Sequence, residues 1–347
     1  MYRHLGIVTL KTGEQMELGV VQCPDPSWGA QVIPLLGHKS RESREHFQAA
    51  FAGPLDHLDT RFYLGTIGGI AVANIMIVGV HRAGGAVGIL GHVYTRPEHR
   101  QKGACSQLMA AQMLDVQRDG YRALTLGTGF ETHPYWIYHR FGFRSIDGVS
   151  GRMKWLAGPD FEEAWFAPGA TTVRPMRWDD WAPLNLLTYQ PVQPDEAPPR
   201  SWTFRVKGQG SLEGSFQALR RAINRHVPIT AAVLESEQGA TVGWAVLQPD
   251  DLAFGDGWLL DLYVHPRFRA AAPRLLEAIV WPETGRVAAY VTDLHDYRAA
   301  ALRECGFHPV ATLPAWLTCD GAGRDLHVLT RGGESEGMPA NPEAGYS

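Results

Sequence analysis

The sequence predicts an α+β fold in two tandem copies, each a mostly antiparallel set of strands flanked by helices. Three observations predict it. Strand signals rich in Val, Ile, Tyr and Phe crowd between Arg61 and Thr95, separated by the turns Gly68-Gly69 and His81-Arg-Ala-Gly-Gly85, as in a meander. The same order of elements returns after residue 170, and residues return with it: Val93-Tyr-Thr-Arg-Pro-Glu-His-Arg100 lies over Leu262-Tyr-Val-His-Pro-Arg-Phe-Arg269, and Arg140-Phe-Gly-Phe143 over Glu304-Cys-Gly-Phe307. Finally, 347 residues are too many for one ordinary core and suit two domains of about 150 to 180 residues each.

In chain order, Met16 to Gln22 reads as a first strand, followed by helices over Trp28 to Leu36 and Ser40 to Ala50, the second capped by Ser40. Strands are expected over Arg61 to Ile67, Ile70 to Val80 and Ala86 to Thr95, then a helix from Lys102 to Arg118 that stops at Asp119-Gly120. Arg122 to Leu126 makes a further strand, His133 to Arg140 a short helix, and Arg144 to Trp155 a last strand. Two prolines and two glycines between Leu156 and Gly169 mark the domain boundary, giving domains over 1–160 and 170–332. The second half runs strand (172 to 175), helices (178 to 187 and 212 to 224), strands (229 to 235, 242 to 248 and 258 to 264), helix (273 to 280), strand (287 to 291), helix (297 to 304) and strands beyond. Residues 333–347 carry too little apolar content to fold and read as a disordered tail.

Composition narrows the function. With 45% hydrophobic and 20% charged residues and a net charge of -4, the chain is of ordinary globular type and offers no basic field for nucleic acid or an anionic membrane. Four scattered cysteines (23, 105, 305 and 319) without a CxxC pair read as reduced thiols. The start Met1-Tyr-Arg-His-Leu-Gly lacks an apolar leader core, and the apolar stretch from Ile67 to Val80 is interrupted by Asn74 and glycines, so a cytoplasmic location is expected. A metal site is not expected, because no HExxH, CxxC or paired-histidine spacing is present. The segment Gly208-Gln-Gly-Ser-Leu-Glu-Gly214 reads as a turn, and Trp202, Phe204 and Phe216 as core or cleft wall.

The chemistry concentrates in Val93 to Met109, which reads as a strand end, a polar turn bearing Gly103, and the first turns of a helix. A helix start carries unpaired N-H groups and the positive end of the dipole, and glycine lets the backbone approach a ligand, so this is an anion site suited to a diphosphate. The pattern Arg100-x-x-Gly103-x-Cys105 after a strand resembles the pyrophosphate loop of the GNAT acyltransferase superfamily, although Cys105 replaces the usual Gly or Ala. A second block, Tyr138-His-Arg-Phe-Gly-Phe143, resembles the family's Tyr, three residues, Gly, Phe.

The resemblance implies two tandem GNAT folds, each a mixed sheet, and acetyl-CoA as cosubstrate. It implies that Val93, Tyr94 and Thr95 offer backbone to the pantetheine, that Gln101, Lys102, Gly103, Ala104, Cys105 and Ser106 meet the diphosphate through N-H groups, and that Arg100 and Lys102 add charge. Tyr138 would protonate the departing thiolate, a phenol of pKa about 10 being matched to a thiol. The general base is open between His92 and Glu131. The second half has Ala272 for Gly103, Pro273 after it and Leu302 for Tyr138, and so reads as a degenerate copy. The expectation is an N-acetyltransferase acting on a primary amine, most simply a small molecule, as a monomer or homodimer. A GNAT-like O-acyltransferase, an acyl-CoA decarboxylase and a non-catalytic CoA-binding module are the alternatives.

Overall fold

The computed structural model describes residues 1–190, 213–250, 257–319 and 322–332. The first half contains β1 (Tyr2–Thr9), β2 (Gln15–Gln22), α1 (Pro26–Leu35), α2 (Arg41–Ala52), β3 (Asp59–Ile67), β4 (Ile70–Arg82), β5 (Gly85–Thr95), α3 (Ala104–Arg118), β6 (Tyr121–Gly127), α4 (His133–Arg140), β7 (Arg144–Ser145) and β8 (Arg152–Leu156). After α5 (Phe161–Trp165) come β9 (Thr171–Pro175), α6 (Trp181–Thr188), α7 (Glu213–Asn224), β10 (Thr230–Ser236), β11 (Thr241–Pro249) and β12 (Gly257–Val264). The chain then forms α8 (Ala272–Glu277), β13 (Arg286–Val291), α9 (Tyr297–Glu304), β14 (His308–Cys319) and β15 (Ala322–Arg331).

The two sheets are ordered β1-β2-β3-β4-β5-β6-β8-β7 and β14-β15-β13-β12-β11-β10-β9. Read from β2 and from β9, the order is the same, so the repeat seen in the residues is a repeat of topology. In each sheet one neighbouring pair is parallel, β5 with β6 and β12 with β13, and the others are antiparallel. A parallel pair needs a crossover, which α3 and α8 supply. The result is the expected mixed sheets flanked by helices, in two tandem copies of one topology.

Helix α3 covers one face of the first sheet, burying Leu108, Met109 and Val116 against Tyr63, Ile75, Ile77, Leu90 and Leu124. The other face belongs to a larger cluster that runs without a break into the second half, from Phe47, Phe62, Met76 and Ile89 through Trp181, Leu184 and Leu187 to Trp244 and Leu262. Helix α6 makes this continuity. Its sequence Trp-Ala-Pro-Leu-Asn-Leu-Leu is buried all round, the pattern of a helix sandwiched between layers, and it touches β4, β5 and β6 as well as β11. Pro183 is tolerated because it falls in the first turn, where an N-H has no intrahelical partner. Polar contacts reinforce the seam: Arg82 pairs with the buried Asp179 at 2.6 Å, the Trp178 N-H donates to Asp56 at 2.6 Å, and the Gly84 N-H donates to Gln238 O at 2.8 Å.

Three expectations are corrected. A strand precedes Met16, because Tyr2–Thr9 pairs along β2 as a half-exposed edge whose polar residues hide the alternation. The expected strand from Arg144 to Trp155 is two strands, interrupted where the Asp147 carboxylate accepts from the N-H groups of Val149 and Ser150 and closes a turn. The Pro/Gly segment after Leu156 holds α5, whose Phe161 and Trp165 are core residues. Ser40 caps α2 as expected, accepting from the Ser43 N-H at 3.3 Å. Phe216 is buried, whereas Trp202, Phe204, most of the Gly208–Gly214 segment and residues 333–347 lie outside the described residues.

Candidate functional site

Strand β5 delivers the loop. Its end is fastened by the Arg96 N-H to Val72 O at 2.9 Å, a 3-10 turn follows over Pro97–His99, and α3 begins at Ala104. Gln101 at φ 62° and Gly103 at φ 92° both take left-handed backbone, which turns the chain sharply into the helix. A Cβ on Gly103 would meet nothing nearer than Lys11 Cγ at 3.8 Å, so glycine is required by its backbone angle rather than by crowding. The first helical bond of α3 is from Gln107 N-H to Gly103 O, which leaves the N-H groups of Ala104, Cys105 and Ser106 pointing out of the helix start. The loop is braced from below by the Lys11 N-H donating to Lys102 O at 3.0 Å.

The two loop cations are engaged within the protein. Lys102 Nζ donates to Glu14 at 2.8 Å and holds that carboxyl below its ordinary range. Arg100 Nε donates to Thr95 O at 3.0 Å, with its guanidinium 5.7 Å from the centre of the Tyr94 ring. An anion at this helix start would meet the N-H cluster and the helix dipole first, with the two cations as flanking charge. Burial raises the Cys105 thiol to about 11, so it is a neutral spacer in the first turn rather than a nucleophile. Ser106 is partly exposed beside it.

The strand itself opens. Only Ala86 to Ile89 pair with β6, at Tyr121 to Thr125, and from Leu90 to Thr95 the β6 side of β5 has no strand partner among the described residues. On the β4 side a bulge sets His92, at φ 50°, and Val93 opposite Ile75 alone, and buried Asn74 pins it by donating from Nδ2 to His92 O at 2.9 Å. Val93, Tyr94 and Thr95 thus lie along one edge of a wedge that ends at the loop.

The acid and base candidates are not brought together. Tyr138 on α4 is 7% exposed and sits in the cluster beneath α3, with its ring 6.2 Å from that of Phe143 across the turn at Gly142. His92 instead turns its ring edge-on to Phe47 at 4.8 Å, in the other cluster. Burial lowers its pKa to about 4, with Lys39 and His38 adding to the shift, so the imidazole is neutral with a lone pair at pH 7 but a weak base. Glu131 is exposed on the loop before α4, at φ 53°, its carbonyl accepting from Trp136 Nε1.

Sequence reasoning missed what the α1–α2 junction adds: the His38 ring packs tilted against that of Tyr94, centres 4.3 Å apart, and Lys39 acts on His92. It also missed His46, which is buried against Trp178 and Trp181 and pushed down to about 3. An open groove of about 420 Å³ between α1 and α2, lined by Ile33, Pro34, Arg41, Arg44 and Gln48, shares no residue with the loop, β5 or α4. Among the described residues no group of three His, Cys, Asp or Glu gathers to hold a metal, and no helix is long and apolar enough to cross a membrane.

A family model for an acetyltransferase (GNAT) domain matches residues 43–146, a span that runs from α2 through the loop and α4. Among solved structures the chain is similar to a ribosomal-protein-alanine N-acetyltransferase from Brucella melitensis, at 20% identity and a TM-score of 0.37 over 46% of this chain and 98% of that one. It is similar to a putative acetyltransferase from Salmonella typhimurium with its cofactor acetyl-CoA, at 15% identity and a TM-score of 0.37 over 51% and 99%. A third is a GNAT superfamily phosphinothricin acetyltransferase from Sinorhizobium meliloti in complex with AcCoA, at 18% identity and a TM-score of 0.35 over 51% and 95%. No curated protein matches the sequence.

Proposed function

We propose that the protein transfers the acetyl group of acetyl-CoA to a primary amine of a small molecule, and that the first half, whose residues 43–146 match the acetyltransferase (GNAT) family model, does the chemistry. The observation that carries this reading is the junction of an open strand edge, Val93 to Thr95, with a helix start whose N-H groups at Ala104, Cys105 and Ser106 point outward. An extended amide-bearing arm fits the first and a diphosphate the second.

The acceptor nitrogen attacks the thioester carbonyl carbon, the C–N bond forms and the C–S bond breaks. The thiolate takes its proton from the Tyr138 hydroxyl, and the amine loses one to a base or water, which restores the phenol through solvent. The products are the amide and free CoA thiol. Between the base candidates, His92 adjoins the wedge by its position on β5, but a conjugate acid near 4 suits it to accept a hydrogen bond from the amine rather than to carry its proton away. Glu131, on the loop entering the Tyr138 helix, can carry the proton to solvent.

Isothermal calorimetry of the full chain with acetyl-CoA, followed by thiol release with a panel of amines, tests the reading. Binding together with amine-dependent thiol release supports it. Binding with thiol release to alcohols, or with loss of CO₂ from malonyl-CoA, replaces it with an O-acyltransferase or a decarboxylase. Binding without turnover leaves a CoA-binding module, and no binding overturns it.

A further inference from the structure

The end of β5 shows its two faces to different neighbours. Val93 packs into the cluster beneath α3, whereas His92 and Tyr94 turn to the opposite face, where the α1–α2 junction meets them. There the His38 ring lies 4.3 Å from that of Tyr94, the Arg100 guanidinium lies 5.7 Å from the same ring, and Lys39 follows His38 in the chain. Four basic side chains, His38, Lys39, His92 and Arg100, thus gather around one stretch of strand. The carboxylates that follow them on α2 are engaged elsewhere: Glu45 pairs with Arg41 at 2.8 Å and with Arg221 at 3.6 Å, and Glu42 accepts from its own N-H and from Ser40.

Electrostatics agrees with this placement. Burial lowers the pKa of both rings, and the charged groups acting on them are all basic, Lys39 and Arg100 on His38, and Lys39 and His38 on His92. A primary amine arrives as a cation at pH 7, so this face repels it, and repels a polyamine most. The same field favours loss of the ammonium proton, which suits a site whose histidine is a weak base. The repulsion is offset if the acceptor brings a negative charge of its own.

We propose that His38 and Lys39, with Arg100 beside them, are specificity-determining residues, and that the acceptor is a small amine that also carries a carboxylate. This rests on the reading of the first half as an acetyltransferase. Thiol release from acetyl-CoA by the full chain, with common amino acids each beside its own carboxamide and with spermidine, reads the preference. The expected kcat/KM is at least about tenfold higher for the best acid than for its carboxamide, through KM, with spermidine below both. Lys39→Met keeps the stem and removes the charge. It should narrow that ratio to about threefold or less with CoA affinity within about twofold of wild type by calorimetry.

Carboxamides or spermidine used as well as the acids, or a ratio unmoved in Lys39→Met, overturns the proposal. So does a loss of CoA affinity in that variant, which would assign the cation to the cosubstrate. If no amine releases thiol, the acetyltransfer reading falls instead, and calorimetry of the same acids and carboxamides without CoA still decides the charge preference. Binding of acids alone keeps it, and equal binding of both, or of neither, overturns it.

Discussion

The two halves share a strand order and differ in the few atoms that a ligand would meet. In the first, Gly103 at φ 92° turns the chain into the 15-residue α3 with its opening N-H groups outward. In the second, the corresponding Ala272 sits at φ -57°, the turn is wound into a 3-10 helix over Pro266–Ala271, and α8 has only 6 residues with Pro273 at its start. The second wedge is also filled from within. Val264, which corresponds to Thr95, donates its N-H to the Tyr297 hydroxyl at 2.9 Å, and Arg269, which corresponds to Arg100, lies 5.0 Å from the Tyr297 ring centre. A duplicated fold thus keeps its sheet while a left-handed turn is lost and a tyrosine hydroxyl takes up a strand amide. Scaffold and site separate cleanly because they depend on different residues.

The comparison can be broken most forcefully at Tyr138. If the first half is the catalytic one, Tyr138→Phe lowers kcat by about a hundredfold with CoA affinity within about twofold, measured by thiol release and calorimetry. An unchanged kcat would remove the chemical distinction between the halves. Next comes the loop. Gly103→Val forces a β-branched residue into left-handed backbone and should weaken CoA binding at least about tenfold. The reciprocal change Ala272→Gly should leave the calorimetric stoichiometry at one CoA per chain.

A smaller effect is expected from pH. His46, His92 and His265 have pKa values lowered by burial to about 3, 4 and 4. In the unfolded chain these groups take up protons near pH 6.5, whereas in the folded chain they resist until pH about 4. Their contribution to stability is therefore intact above pH 6.5 and is lost as pH falls from there towards 4. Melting temperature should drop steeply over that window, and His46→Leu should flatten the slope. The smallest change is expected of Tyr297→Phe, which unpairs the Val264 N-H and should cost about 1 kcal/mol in denaturant unfolding without creating a CoA site.

Much of this was legible in the residues. Helices His133–Arg140 and Tyr297–Glu304 have the bounds expected from the sequence, and the loop stood out because a glycine between a strand and a helix has few other uses. The edge strand Tyr2–Thr9 was not legible, because a strand with a single partner needs little apolar alternation. Nor was the break at Asp147, where one carboxylate gathers several N-H and O-H groups and outweighs the strand tendency of its neighbours. Within the site, local motif residues were found. Those delivered by tertiary packing, His38 on Tyr94 and His46 among tryptophans, carry no sequence signal, since their partners are 56 and 132 positions away. Asn74 did show itself as a polar residue in an apolar strand, although its task of pinning the bulge required the structure.

Helix α6 has a consequence for how the molecule comes apart. Because it is buried on every side between the two sheets, a break at the Pro/Gly segment after Leu156 would strip the floor from β4, β5 and β6 and leave Met76, Val78 and Ile89 facing water. The duplicated copies have become cooperative partners, and heating should melt them in one transition with neither half surviving the other.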